Sequence, residues 1–173
     1  GTNDKPVWSP DGKRLAFHSN RNGPYDLCIR QASGGGGDSL VFASPTRWKE
    51  PVSWSPDGRW IAYWAIEKDT GGDLLFAAAD GSGKNETYLK TPATEWFPSI
   101  SPDGHWLYYR ARCTRNGDAC DLERASTSGV EAKPETVARG VKSFEFDPRD
   151  PGRLLLTWQR PDLVALDFGV WRD

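Results

Sequence analysis

The sequence has few residues of the kinds that metal and redox sites use. Its 173 residues include two histidines, three cysteines and no methionine. His18 and His105 have no cysteine or carboxylate cluster at ligand spacing around them. Because metal sites need three or four such ligands close together, the sequence predicts neither a metal site nor a cofactor.

Long runs of one chemical character are also absent. The 22 basic and 24 acidic residues are interspersed and give a net charge of −2. No stretch approaches the roughly 18 consecutive apolar residues that a membrane helix needs. The sequence therefore predicts no nucleic-acid groove and no membrane insertion.

A catalytic constellation is not visible either. The chain has no Gly-x-Ser-x-Gly element, and its two histidines lie in equivalent parts of a repeat. The repeated aspartates belong to turns in separate units, so they are not expected to form an acid-base pair. We predict no catalytic residue in this chain and expect it not to be an enzyme.

What the chain does contain is an internal repeat. Residues 54–63 read Trp-Ser-Pro-Asp-Gly-Arg-Trp-Ile-Ala-Tyr, and similar segments occupy 8–17 and 100–109. Their serines, at positions 9, 55 and 101, are spaced by 46 residues. One further step of 46 reaches Asp147 in an Asp-Pro-Arg-Asp segment, which indicates a degenerate fourth copy. Periods of this size indicate a supersecondary unit that stacks on copies of itself.

Each copy of the repeat predicts a β-hairpin. Proline presets φ for a type I turn, aspartate suits the next position, and glycine takes the left-handed conformation of a bulged hairpin. Aromatic and β-branched residues flank the turn, as half-buried strands require. Nine tryptophans and an aromatic content of 12% suit such sheets.

The strands around the hairpins predict an all-β protein made of β-propeller blades, each a four-stranded antiparallel sheet. We expect a single propeller region over residues 1–173 with about four blades, and an Asp-Leu pair at 26, 73, 121 and 162 opens the last strand of each. The predicted blades are 1–33, 38–80, 86–126 and 134–168. In this scheme the strand at 40–43 begins the second blade and the first blade lacks its inner strand, so the propeller is partial or open.

The pattern Pro-x-Trp-Ser-Pro-Asp-Gly-(Lys/Arg)-x-(Leu/Ile)-Ala-(Phe/Tyr) occurs at 6–17 and, with one extra residue, at 51–63. It resembles the TolB-type, WD-like propeller repeat. Such repeats occur in periplasmic TolB, in the propellers of prolyl-oligopeptidase-type and tricorn-type peptidases, and in sensor regions of bacterial Ser/Thr kinases. The resemblance implies propeller blades and is nearly silent on activity, because the motif consists of turn and core residues. Rings of this type usually have six blades.

The loops that differ between copies are the candidate binding region. In the predicted blades the loops 44–50, 92–97 and 139–142 leave the inner strands and form one rim. The candidate binding residues in them are aromatic or charged: Arg47, Trp48, Glu50, Glu95 and Trp96. Aromatic groups beside charges suit a protein or peptide contact surface. The alternative is that both tryptophans pack between neighbouring blades.

The leading hypothesis is a non-catalytic scaffold that binds a protein or peptide, as the sensor part of a larger protein. The alternatives are an accessory, substrate-gating propeller of a prolyl-oligopeptidase-type serine peptidase and, less favoured, a propeller lyase or hydrolase. Open blade faces would permit self-association.

Cys113 and Cys120 flank a short loop and could form a disulfide or remain two thiols. A disulfide would favour a periplasmic or extracellular location, because such bonds are rare in the cytosol.

Overall fold

The computed structural model describes residues 1–43, 48–67, 71–89, 94–128, 133–159 and 166–172. All regular structure in these residues is β-strand, so the predicted all-β class is confirmed. The strands are β1 (Asn3–Trp8), β2 (Arg14–Ser19), β3 (Asp26–Gln31), β4 (Ser39–Phe42), β5 (Lys49–Trp54), β6 (Trp60–Glu67), β7 (Gly71–Ala78), β8 (Asn85–Leu89), β9 (Trp96–Ile100), β10 (Trp106–Ala111), β11 (Cys120–Ser126), β12 (Glu135–Asp147), β13 (Asp150–Gln159) and β14 (Leu166–Arg172). Within the described ranges, none of the chain forms a helix of the length and apolar character that crossing a membrane requires.

The chain divides into two compact units, Gly1–Ile100 and Ser101–Asp173. The first unit holds two four-stranded antiparallel sheets, ordered β1-β2-β3-β4 and β5-β6-β7-β8, together with β9. Its core lies between these sheets and contains residues from both: Ala16, Leu27, Ile29, Val41, Trp54, Ile61, Tyr63, Leu75 and Ala77. Burying each large apolar side chain contributes about 1.5 to 3 kcal/mol, which holds the two sheets together.

The second unit is a curled antiparallel sheet in which β10 to β14 follow one another. Its central strand, β12, pairs with β11 through Thr136 and Ala138 and with β13 through Ser143 and Phe144. The register shifts between these two halves, and Gly140 there has a φ of 68°. Because glycine adopts this conformation without strain, it lets one long strand serve two neighbours.

The sequence predicted that the strand at 40–43 begins the second sheet, and the structure contradicts this. Ser39–Phe42 pairs antiparallel with β3, and Asn85–Leu89 likewise pairs with β7, so each closes the preceding sheet. The predicted blade limits at 38 and 86 are therefore wrong by one strand, and the first sheet has its full four strands. A strand between two turns can pair with either neighbour, and its sequence does not distinguish them.

The Ser-Pro-Asp-Gly turns close through one repeated hydrogen-bond network. In the first, the Gly12 amide donates to Ser9 O at 2.9 Å, and the Ser9 hydroxyl donates to Asp11 Oδ1 at 2.6 Å and accepts from the Arg14 amide at 2.9 Å. Gly12 has a φ of 67°. The turns at 55–58 and 101–104 repeat these bonds, which confirms the predicted bulged hairpin. At the fourth copy, Asp147 Oδ1 accepts from the Arg149 amide between β12 and β13, so a hairpin forms there too.

A fifth turn has the same network without the same sequence. In the loop between β10 and β11, the Thr114 hydroxyl donates to Asn116 Oδ1 at 2.7 Å and accepts from the Ala119 amide at 3.1 Å. The Gly117 amide donates to Thr114 O at 2.7 Å. Cys113 and Cys120, which flank this turn, form a disulfide. Thr-Arg-Asn-Gly is thus a chemical equivalent of Ser-Pro-Asp-Gly, closed at its base by a covalent bond.

Candidate binding surface at the starts of two strands

The predicted rim residues that the structure describes lie at the starts of β5 and β9, each of which is the strand before a Ser-Pro-Asp-Gly turn. Trp48 and Glu50 are at the start of β5, and Glu95 and Trp96 are at the start of β9, all in the first unit. Arg47 lies outside the described residues. The sequence predicted a loop at 139–142. This prediction is wrong, because the segment is part of the continuous strand β12. The predicted residues that the structure describes thus lie at two places in the first unit, the start of β5 and the start of β9.

An aromatic cluster joins these two strand starts, and its members are His18, Tyr25, Trp48, Trp64, Trp96 and Phe97. Trp48 lies 5.0 Å from His18 and 4.7 Å from Tyr25, measured between ring centroids. Trp64 is 6.4 Å from Trp48 and 4.7 Å from Trp96, and so connects the two predicted tryptophans. Two of these contacts, His18–Trp48 and Trp64–Trp96, are edge-to-face, and such pairs contribute about 0.5 to 1.5 kcal/mol each beyond area burial. The cluster thus fixes the orientation of both rings.

Glu50 is tied to this cluster and to a neighbouring cation. Its Oε2 accepts a hydrogen bond from Trp48 Nε1 at 3.3 Å, and its Oε1 lies 3.6 Å from Lys5 Nζ. The side chain of Lys5 is 45% exposed and that of Glu50 is 9% exposed. The Lys5 ammonium group therefore lies on the solvent side of the ion pair, and the buried Glu50 carboxylate holds the Trp48 indole by a hydrogen bond.

Lys49 is a buried cation with a structural role. Its Nζ donates to Tyr25 O at 2.9 Å and lies 3.7 Å from Asp26 Oδ1. A buried charge is tolerated when it is paired and hydrogen-bonded, as this one is. Asp26 belongs to an Asp-Leu pair, and in the second unit the equivalent Asp121 lies 3.2 Å from Arg139 Nη1. Each aspartate thus pairs with a basic residue of a later strand, Asp26 of β3 with Lys49 of β5 and Asp121 of β11 with Arg139 of β12.

His18 is fully buried beneath Trp48. Its Nδ1 lies 3.0 Å from Lys49 O, and because a carbonyl only accepts, Nδ1 donates. Burial lowers the pKa of His18, against the opposing influence of that carbonyl and of the Glu50 carboxylate. The imidazole is therefore neutral at pH 7 and supports the cluster from within.

Phe97 is the exposed member of the cluster. Its side chain is 41% exposed, whereas Trp48 and Trp96 are half-buried. Its φ of 52° lies in the left-handed region, as does that of Lys5 at 56°. Such a conformation costs a non-glycine residue of order 1 kcal/mol. Each of these two residues directly precedes a proline, Lys5 in β1 and Phe97 in β9. In β1 the register shifts between Asp4 and Val7, a bulge that re-aims side chains.

We call this candidate region the binding surface and define it by the exposed Lys5 and Phe97, the half-buried Trp48 and Trp96, and the buried Glu50 between Trp48 and Lys5. Sequence reasoning included 97 in a rim loop but did not select it, because nothing in a single sequence signals a positive φ at a phenylalanine. Glu95 is 2% exposed and lies beneath the surface. Its amide donates to Gly72 O at 2.9 Å, so it fixes the start of β9.

Metal-ligating side chains do not cluster in the described part of the chain. No group of three His, Cys, Asp or Glu side chains there is arranged to hold a metal ion. His105 is 77% exposed and lies 3.1 Å from Asp103 Oδ2 in its turn. The two histidines belong to different units of the chain.

No protein-family model matches the sequence, and no curated protein sequence matches it. Solved structures do match in fold. A TolB-type protein from Agrobacterium tumefaciens superposes with a TM-score of 0.76 at 20% identity, over 98% of this chain and 61% of that one. The chain thus spans about three fifths of that structure. This likeness identifies a β-propeller fold, and specifically a TolB-like one.

Two further structures share the fold at lower similarity. Prolyl oligopeptidase B from Galerina marginata, solved with a 35-mer substrate, matches with a TM-score of 0.60 at 14% identity, over 88% of this chain and 24% of that one. An oligogalacturonate lyase from Vibrio parahaemolyticus matches with a TM-score of 0.64 at 10% identity, over 97% and 50%. Because these proteins differ in activity, the fold alone does not assign one.

Proposed function

We propose that this chain is a non-catalytic, TolB-like propeller that binds a protein or peptide partner at the binding surface. The observation that carries the proposal is the exposure of Phe97, at 41%, beside Trp96, which Trp64 holds in place. Rigid aromatic groups supply contact area with little loss of conformational entropy on binding. Such residues are enriched among those that dominate binding energy.

The charged residues define the rest of the surface. Lys5 is exposed, and its partner Glu50 is buried against Trp48. A polar edge around an aromatic centre is the usual arrangement of a protein-binding patch. The partner class that fits is therefore a peptide segment with an apolar anchor for Phe97 and Trp96 and an acidic group for Lys5.

Peptide selection from a random phage library tests this function, followed by calorimetric titration of the enriched peptide. Phe97→Ser should weaken binding by roughly tenfold or more, as for a central interface residue, with little change in melting temperature. Leu40→Ser is the matched control, since Leu40 is 53% exposed and lies in β4, away from the surface. Equal losses in the two variants, or unchanged binding by Phe97→Ser, would contradict the proposal.

A second candidate is the substrate-gating propeller of a peptidase, supported by the fold shared with prolyl oligopeptidase B. A gating propeller excludes large substrates without holding a peptide of its own. Selection that enriches no peptide above background would therefore favour gating over binding.

We further propose an oxidising location, periplasmic or extracellular, because the Cys113–Cys120 disulfide forms in the structure. Alkylation of thiols in protein expressed with and without export would test this. When exported protein is denatured without reduction, one alkylated thiol, that of the buried Cys28, is the expected result, whereas three would contradict the proposal.

A further inference from the structure

The two cysteines of the Cys113–Cys120 disulfide differ in how close they lie to solvent. Cys120 is 1% exposed and opens β11, whereas Cys113 is half-buried and directly precedes an exposed turn. A thiolate attacks a disulfide only at a sulfur atom that it can contact. An attack from solvent therefore falls on Cys113, and Cys120 is the sulfur that leaves.

Arg110 places two donors at the leaving sulfur. Its Nε lies 3.2 Å from Cys120 Sγ, and its Nη2 lies 2.9 Å from the same atom. A disulfide sulfur is a weak acceptor, so these contacts contribute little while the bond is closed. A neighbouring arginine stabilises a thiolate and lowers the pKa of its thiol. The guanidinium is thus directed at negative charge that appears on Cys120 only when the bond opens.

The turn between the two cysteines holds this guanidinium in place. Arg110 Nη2 also donates to Gly117 O at 2.7 Å. The Gly117 amide donates to Thr114 O, and the hydrogen bonds that close this turn involve neither sulfur. Burial lowers the pKa of Arg110, the Asp118 carboxylate opposes that effect, and a guanidinium stays charged at neutral pH. Opening the disulfide therefore leaves the turn intact and the charged donors of Arg110 beside Cys120.

We propose that this disulfide is a thiol-exchange site, at which the thiolate of a small thiol attacks Cys113 and Cys120 leaves as a thiolate beside Arg110. The attacking sulfur forms a new S–S bond with Cys113 Sγ, and the electron pair of the old bond passes to Cys120 Sγ. This step yields a mixed disulfide and one protein thiolate. A second thiolate then attacks the small-thiol sulfur and releases Cys113, so that the small thiol is oxidised to its disulfide and the protein pair is reduced.

The exchange site is separate from the proposed function. It lies in the second unit, whereas the binding surface lies in the first, so it does not depend on peptide binding. Disulfides that exchange readily are the regulatory ones, in contrast to purely structural cross-links. The pair is therefore a reversible attachment point for a small thiol, built around a turn that keeps its own hydrogen bonds.

The position of attack tests the proposal in the wild-type protein. Oxidised, folded protein is incubated with a large excess of reduced glutathione, quenched in acid and analysed by peptide mass mapping. Glutathione should be found on Cys113, with Cys120 as the free thiol. Glutathione on Cys120, equal amounts on both cysteines, or no adduct would overturn the proposal.

The rate of opening tests the role of Arg110. Reduction of the folded protein by dithiothreitol should be roughly three- to tenfold slower in Arg110→Gln, because the leaving thiolate loses its charged donors. Arg110→Lys should recover part of the rate, since it keeps the charge but not the planar fork. Arg115→Gln is the matched control, because Arg115 carries the same charge in the same turn and is exposed. It should react as the wild type does.

Unfolded protein separates the effect of the contact from that of the local sequence. In urea that unfolds the chain, the wild type and Arg110→Gln should be reduced at the same rate, since the guanidinium is no longer held beside Cys120. Equal rates in the folded proteins, equal slowing by Arg115→Gln, or a difference that persists in urea would overturn the proposal. If thermal melts show that Arg110→Gln does not fold, Arg110→Lys and the position of glutathione on the wild type decide it.

Discussion

The two ends of each hairpin differ in how strictly they repeat. At the turn end, the serine hydroxyl donates to the aspartate at 2.6, 2.6 and 2.5 Å in the three copies. At the other end, nine residues after each serine, the second strand carries His18, Trp64 and Arg110. The constant end is closed by its own atoms, whereas the variable end depends on neighbouring elements.

This difference separates architecture from function. A turn that satisfies its own hydrogen bonds can be copied from sheet to sheet without reference to the surroundings. The variable end meets other strands and solvent, and there the first two sheets and β9 together form the aromatic cluster. In the second unit, the corresponding end of β10 leads into a disulfide-closed turn, where Arg110 Nη2 donates to Gly117 O at 2.7 Å. We therefore look for binding at the variable ends.

The largest expected effect is at the variable end of the second sheet. Trp64 is 6% exposed and contacts both Trp48 and Trp96. Trp64→Ala should reduce the free energy of unfolding by about 3 to 5 kcal/mol, because the remaining rings cannot fill the space. Urea denaturation measures this. A loss below about 1 kcal/mol would mean that the cluster does not act as a packed unit.

The variable end in the second unit, at the disulfide-closed turn, should be less sensitive. Replacing Cys113 and Cys120 by alanine opens a loop of short sequence separation, so the expected loss is about 2 kcal/mol. The turn inside the loop keeps its own hydrogen bonds and should still form. Reduced wild-type protein is the comparison, and a loss matching that of Trp64→Ala would place this loop among the essential core elements.

At the constant end the expected effects are smaller still. Asp57 accepts from the Ser55 hydroxyl at 2.6 Å and from the Arg59 amide at 3.0 Å, which lowers its pKa from 3.8 to about 2. Its contribution is therefore present above about pH 4 and is lost as the pH falls toward 2. Because the side chain is 45% exposed, Asp57→Asn should cost less than about 1 kcal/mol at pH 7. In thermal melts between pH 2 and 7, the melting temperature of the variant should fall less steeply than that of the wild type as the pH drops from about 4 toward 2.

The smallest effect concerns the pH dependence of the first sheet. The pKa of His18 is lowered by burial, so the unfolded chain binds its proton at a higher pH than the folded chain. Stability should therefore fall as the pH drops below about 6.5, and His18→Gln should reduce that slope. Lys5, Asp4 and Glu50 act on the imidazole and remain in both proteins. An unchanged slope would show that other groups govern this range.

The hairpins were predictable from sequence because their causes are local. Proline, aspartate and glycine each have a defined place in the turn, and the spacing of 46 multiplies that signal. Strand pairing was not predictable to the same degree. Ser39–Phe42 joins the sheet before it, a choice made by tertiary contacts across the sheet.

For the site, the sequence indicated Trp48 and Trp96 but not Trp64, whose ring contacts both of them. Trp64, which lies in the second strand, had the character of an ordinary core residue. Phe97 was missed because its exposure follows from a backbone bend. The disulfide was an open alternative, since the flanking of a loop by two cysteines does not establish how close they are.

The most direct test compares Phe97→Ser with Asp57→Asn in one calorimetric titration of a selected peptide, alongside thermal melts. If the variable end binds and the constant end supports the fold, Phe97→Ser weakens binding roughly tenfold or more with little change in melting temperature. Asp57→Asn then lowers the melting temperature and leaves the affinity unchanged. Normal affinity in Phe97→Ser together with lost affinity in Asp57→Asn would contradict this division between the two ends.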